Sequence, residues 1–373
     1  MPFTDSFFAH PLCLQYEHVT LDFSRMATYT STRSFAASFL TGVGDINQTI
    51  AHALPAAGIF TKPGEDKSQD IREMHSRCDI VETRPTFVLS NDDIYNLGHY
   101  YNDLMGVWGM LQLSQVDSQR AVLLNMDGWR ERGPAGVENH RLMVPGSPDE
   151  HGPFIPIYNS WFAEVQQTKD FGSKKVCYKE LYFPPKPGVP WFWNDWGRVN
   201  ECSLQAASPL YQSYNLFMRR QWTAKYGALP NPPTDKVHVV IEVRAIDKSK
   251  KNNQSAARHI SNIDALVLAL RNIPGVIVTA QNFALIPFER QVALAHSAGV
   301  FVSMHGAGTT HIFHSAVGQP NCCALVELFP DKSTPFHDIK LFGNLARMLG
   351  LQHYPISAGR TDVFIRLLEI NYV

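Results

Sequence analysis

The sequence predicts an α/β protein made of two doubly wound domains, and three observations carry that prediction. Short apolar runs rich in β-branched residues alternate with segments of helical spacing throughout the C-terminal third. Strands of continuous apolar character separated by helices form parallel sheets that are covered on both faces. The same alternation recurs more loosely in the first half. Between the halves, Pro230, Pro232 and Pro233 fall within four residues, which forbids helix and central strand alike. The sequence therefore predicts a first domain over residues 1–228 and a second over 229–373, two being the ordinary expectation for 373 residues.

In the first half, 86–89 and 121–126 read as strands, with a helix over 97–113 between them. Residues 175–183 form another strand, and 210–226 a long helix that ends at Gly227. In the second half, 237–243 is a β-branched strand. Ile260, Ile263, Val267 and Leu270 recur at helical spacing, so 260–272 is a helix. A strand over 276–279 comes next, then a helix over 287–296 whose opening proline suits a first helical turn. Strand 300–304 enters a glycine turn and a short helix near 309–315. A strand over 324–329 and a helix over 336–349, stopped by Gly350, complete the pattern.

Composition excludes several classes. A formal net charge of -1 argues against broad electrostatic binding to nucleic acid. No run approaches the roughly 20 apolar residues of a membrane span. The first residues hold neither a basic nor an apolar region, so no signal peptide is read there. The six cysteines include no C-x-x-C pair, and Cys322 and Cys323 read as core residues flanking a strand. No metal is expected. His311 and His314 lie three apart with His305 nearby, but no carboxylate or cysteine completes a set.

The most informative segment is the apolar strand 300–304 running into His305, Gly306, Ala307 and Gly308. Glycines there let backbone approach a ligand, and the N–H groups of the helix that follows attract an anion. A bare tight turn is the competing explanation. Arg244 closes the first strand of this domain, and Arg258 follows a polar, basic insertion; both could pair with phosphate oxygens in fork geometry. Glu327 lies inside the apolar strand 324–329, where a carboxylate must be paired or used. Ribose hydroxyls and a structural hydrogen bond to the next loop are equal partners for it.

Taken in order, Arg244, then Arg258-His259-Ile260-Ser261-Asn262, Phe288-Glu289-Arg290-Gln291-Val292, His305-Gly306-Ala307-Gly308 and Val326-Glu327 resemble glycosyltransferase family 61. This similarity covers roughly residues 236–356. The family includes xylosyl-, arabinosyl- and O-linked GlcNAc transferases. Where its members often have Leu-Thr-Asn, this chain has Thr309-Thr310-His311. In the first half, Asn96, His99 and Asp103 are similar to the family's N-x-x-H-x-x-x-D segment. His99 and Asp103 stand four apart, on one face of the predicted helix, so they can interact or face one cleft together. A histidine held by a carboxylate suits a base near neutral pH.

The resemblance implies a GT-B-like fold, two Rossmann-like domains facing a cleft, with the acceptor on the first and a nucleotide-sugar on the second. It implies an inverting transfer of GlcNAc, xylose or arabinose from a UDP-sugar to a glycan or glycoprotein hydroxyl. His99 is then the base oriented by Asp103, with Asp103 as base the alternative. Arg244, Arg258, His305, Gly306, Ala307, Gly308 and Glu327 bind the donor, and no cofactor or essential metal is expected. A secretory compartment is also implied, with no anchor or signal seen in the sequence. A non-catalytic nucleotide-sugar or glycan-binding protein on the same fold is the alternative function.

Overall fold

The computed structural model describes residues 14–22, 60–61, 76, 78–89, 96–125, 154–171, 174–183, 207–244, 259–329 and 341–357. The chain divides into two compact units, Met1–Trp191 and Phe192–Val373.

The first unit is built on one mixed sheet. Its strands are β1 (Leu14–Asp22), β2 (Phe60–Thr61), β3 (Ile80–Glu82), β4 (Thr86–Leu89), β5 (Val122–Asn125), β6 (Glu164–Gln167) and β7 (Lys175–Phe183). The order is β2-β1-β7-β4-β5-β6, with β3 also on β7. Strands β3 to β7 pair in parallel, while β1 runs antiparallel to β2 and β7. Every residue of β4 and β5 is buried, as the apolar runs predict. Strand β6, Glu-Val-Gln-Gln, lies at the end of the sheet order and is polar enough to escape a hydropathy reading.

Helix α1 (Leu97–Ser114) connects β4 to β5. Asn96 caps it, its Oδ1 accepting from the Gly98 N–H at 3.0 Å. The helix buries Leu97, Tyr100, Tyr101, Leu104, Val107, Trp108 and Leu111, so it belongs to the core on nearly all sides. Tyr100 stacks on Tyr158 of α2 (Ile155–Trp161) with ring centroids 4.7 Å apart. A short helix α3 (Thr168–Phe171) follows β6. Cys78 and Cys177 form a disulfide that ties the approach to β3 onto β7, their Cα atoms 5.9 Å apart, inside the range a disulfide spans without strain.

The second unit carries a purely parallel sheet. Its strands are β8 (Val237–Val243), β9 (Val276–Asn282), β10 (Val300–Met304), β11 (Ala324–Phe329) and β12 (Gln352–Ser357), in the order β12-β11-β10-β8-β9. Helices α5 (Ile263–Arg271), α6 (Phe288–Ser297) and α7 (Leu341–Leu349), together with a 3-10 helix over Ala307–His314, make the crossovers. Leu266 and Leu270 of α5 pack with Ile241, Val302, Met304, Val326 and Leu328 on one face. The pleat sends Val240, Phe301 and Leu325 to the other face, where they are also buried. This is the doubly wound α/β architecture the sequence predicts. Strand β12 is unforeseen because it is polar, half exposed and contains a proline, as an end strand of a sheet can.

Helix α4 (Pro209–Tyr226) belongs to this second unit and not to the first. Its Asn215 amide donates to the carbonyls of Phe313 and Ser315, and the Ser208 N–H just before it donates to Met348 O at 2.8 Å. The Pro-rich segment after it, where the sequence suggested the boundary, is pinned onto the same unit. Asn321 Nδ2 donates to Pro233 O and Thr234 O, and His296 Nδ1 to Pro230 O at 3.0 Å. Prolines stop regular structure there without separating two folded bodies. Cys322 and Cys323 flank β11 as expected, half-buried, with their sulfurs against each other. Among the described residues no helix is long and apolar enough to cross a membrane.

Candidate functional site

Strand order places a crevice at one particular edge. From β8 the chain crosses to β9 on one side, and from β10 it crosses to β11 on the other. In open parallel sheets ligands bind outside the carboxyl ends of the strands where the order reverses in this way. The residues there are Glu242, Val243 and Arg244 from β8, and His305 to His311 from β10. Arg244, His305, Gly306, Ala307 and Gly308 are thus brought to the same sheet edge. Arg258 lies outside the described residues.

Glu242 organises one side of this edge. Its buried carboxylate accepts a very short hydrogen bond from Ser303 Oγ and another from Arg244 Nε at 3.3 Å. Ser303 Oγ also lies 3.1 Å from Thr309 Oγ1. The Arg244 side chain stays 21% exposed, held at its Nε end by Glu242. His259 Nδ1 donates to the Arg244 carbonyl at 3.1 Å, fixing the backbone as well.

The glycines have separate reasons. Gly306 sits at φ 146°, ψ -172°, a conformation essentially reserved for glycine, and it starts the 3-10 helix. Gly308 is different: a β-carbon there would fall on the Glu242 carboxylate. The sequence left a ligand or a bare tight turn to explain this glycine; the structure adds a reason of its own, the buried Glu242 carboxylate. Gly308→Val is therefore expected to cost stability, on the order of 3–5 kcal/mol, because it uncouples a buried charge from its partners. Urea unfolding checks this, and an unchanged midpoint would return Gly308 to the ligand.

Glu327 organises the other side and is fully buried. One oxygen lies 2.5 Å from His305 Nδ1, the other 2.8 Å from His353 Nε2 on β12. Each oxygen thus meets a histidine, which is a structural pairing of the kind the sequence allowed. His305 is stacked on Phe329 and edged by Phe342. His311 and His314 go elsewhere. They turn into an aromatic core, His311 5.0 Å from Phe283 and His314 5.8 Å from Trp222. Burial, aided by the charge of Arg244, pushes the His311 pKa down to about 3, and burial holds His314 well below its usual value too. Among the described residues no three His, Cys, Asp or Glu side chains form a metal site.

In the first unit, His99 belongs to the first turn of α1, the helix between β4 and β5. Asp103 is one turn further on and 4% exposed. The site residues that sequence reasoning missed are Glu242, Ser303 and His353. Glu242 sits in an apolar strand just as Glu327 does, so the same argument would have found it. His353 lies on a strand the hydropathy pattern did not reveal.

Such an edge belongs to a doubly wound α/β domain. The chain belongs to the Glycosyltransferase 61 family, whose sequence model matches residues 16–325. Its curated relatives include the EGF domain-specific O-linked N-acetylglucosamine transferase of Xenopus laevis, 24% identical over 292 residues, which cover 77% of this chain and 47% of the relative. The transferase of the same name from Drosophila melanogaster is 23% identical over 74% of this chain and 46% of its own length. That from Mus musculus is 24% identical over 86% and 56%. The chain spans about half the length of the curated relatives it matches.

Proposed function

We propose that this chain catalyses inverting transfer of a sugar from a UDP-sugar to a hydroxyl of a glycoprotein or glycan. N-acetylglucosamine is the first donor sugar to try and an EGF domain the first acceptor, following the names of the relatives; xylose and arabinose come next. The observation that carries the reading is that Arg244, 21% exposed, and the Gly306 turn follow adjacent parallel strands at the reversal point of the sheet. Charge grows on the leaving diphosphate in the transition state, and Arg244, Arg258 and the backbone N–H groups after Gly306 are the donors that stabilise it. Those cations do the work a divalent ion would otherwise do, so we propose that no metal is required. The two units form a GT-B pair, with acceptor and base, His99 oriented by Asp103, on the first. The Cys78–Cys177 disulfide supports an oxidising, secretory compartment.

Calorimetry with UDP tests the donor site directly. Arg244→Ala is expected to weaken UDP by about 1.5–3 kcal/mol, the range for hydrogen bonds to charged groups. Equal affinity in a folded Arg244→Ala protein would remove Arg244 from the site. UDP release that needs both a UDP-sugar and an acceptor establishes transfer; donor binding without release under any acceptor would favour the binding-protein reading.

A further inference from the structure

We infer that His353 is a positioning residue of the donor site, acting on His305 through Glu327; this rests on the donor-site reading above. His353 Nε2 lies 2.8 Å from Glu327 Oε2, and Glu327 Oε1 lies 2.5 Å from His305 Nδ1. A carboxylate only accepts, so both histidine nitrogens carry a proton toward it. That assignment determines the character of His305 Nε2, on the far side of the ring. In the neutral ring Nε2 is an acceptor, and in the charged ring it is a second donor. His305 immediately precedes Gly306, at the turn that opens the crevice. What Glu327 does to His305 is therefore felt at the donor.

Two features argue that the arrangement is not incidental packing. Glu327 is fully buried, and a buried ionic cluster is often no more stable than apolar residues of the same volume. The fold also makes room for the His353 ring at a cost to itself. Gly343 is the third residue of helix α7, and glycine is a weaker helix former than alanine. A β-carbon at that position would come within 2.6 Å of His353 Cε1 and 2.8 Å of its Nδ1. Glycine in the helix and histidine on the strand are thus matched to each other. Glu327 in turn presents one oxygen to each ring, so moving His353 alters the field that His305 sees.

The test uses three variants of the whole chain and two readouts. His353→Phe keeps the ring volume and removes the donor. His353→Gln keeps an N–H₂ donor near the original Nε2. Gly343→Ala changes neither histidine but displaces the His353 ring. The first readout is the protonation of the His305 ring in the ligand-free protein, from long-range 15N–1H correlation; the second is UDP affinity by calorimetry. Glu327 still accepts from His305 Nδ1 in His353→Phe and Gly343→Ala. Both are therefore expected to change how far Nε2 also carries a proton, read as shifted ring 15N resonances, and to weaken UDP roughly 10-fold, the low end for loss of an outer hydrogen-bond partner. His353→Gln should stay within about 3-fold of the parent protein. If the parent binds UDP and folded His353→Phe binds it equally, the positioning role is wrong while the donor site stands. If the parent binds no UDP, the donor-site reading has failed and the positioning role falls with it, whatever the ring resonances show.

Discussion

Acidification from pH 7 to 5 is expected to remove several kcal/mol of stability from the second unit. His296, His311 and His314 are all buried there, and burial is the largest cause of their lowered pKa values, about 4 for His296 and about 3 for His311. In the unfolded chain each returns to about 6.5. The folded state thus binds fewer protons than the unfolded state between these values, and stability falls as pH drops through 6.5. Each fully buried histidine contributes at most about 1.4 kcal/mol per pH unit, so three contribute at most roughly 4. With a total of about 5–15 kcal/mol to lose, the unit approaches unfolding well before pH 4. Urea midpoints across this range measure the slope, and near-UV circular dichroism follows Trp222, which packs against His314. His311→Phe should lower the slope by about a third. A midpoint that is flat from pH 7 to 5 would show that these rings are charged or hydrated in the folded protein.

The same burial explains which parts of the molecule were legible in the sequence. Strands β4, β5, β8, β10 and β11 are buried on both faces, so their apolar runs stand out against any neighbours. Strands β6 and β12 stand at the ends of their sheets and carry Glu, Gln, His and Ser, which leaves no hydropathy signal. Their existence follows only from pairing, which is a long-range property. The domain boundary misled for a related reason. Prolines report where regular structure stops, whereas a boundary is where packing stops, and α4 with the Pro-rich segment packs onto the second unit.

Site residues divide in the same way. Arg244 and the His305–Gly308 segment were legible because strand ends and glycine turns are local features, and parallel topology brings such ends together. Glu327 announced itself as a carboxylate in an apolar strand, but its partners did not. His305 is 22 residues away and His353 is 26 residues away, and only the fold decides that both reach it. Gly308 shows the converse. Its spacing allowed a ligand or a bare tight turn, and the tertiary neighbour that requires it, Glu242, lies on another strand. Short-range pattern gave the place of the site; the hydrogen-bond network within it had to be seen.

Replacing His99 or Asp103 is expected to depress kcat by roughly 10²–10⁴-fold, the usual worth of general acid–base help, with UDP affinity within a few-fold of the parent. Asn96 caps helix α1, which places His99 in its first turn. Asp103 follows four residues later, the spacing that puts two side chains on one face. Its burial suits a carboxylate that orients a histidine better than one that meets the acceptor hydroxyl itself. Proton removal develops in the transition state and is not needed to hold UDP, which the proposed function assigns to the other unit. His99→Ala and Asp103→Asn should therefore leave calorimetric UDP binding alone while turnover falls. Because a dyad acts as one unit, the double variant should be little worse than the more damaged single one. If Asp103 is the base, Asp103→Asn alone abolishes turnover and His99→Gln keeps most of it. Normal turnover in both single variants would place the base elsewhere, and loss of UDP binding in either would overturn the division of labour between the two units.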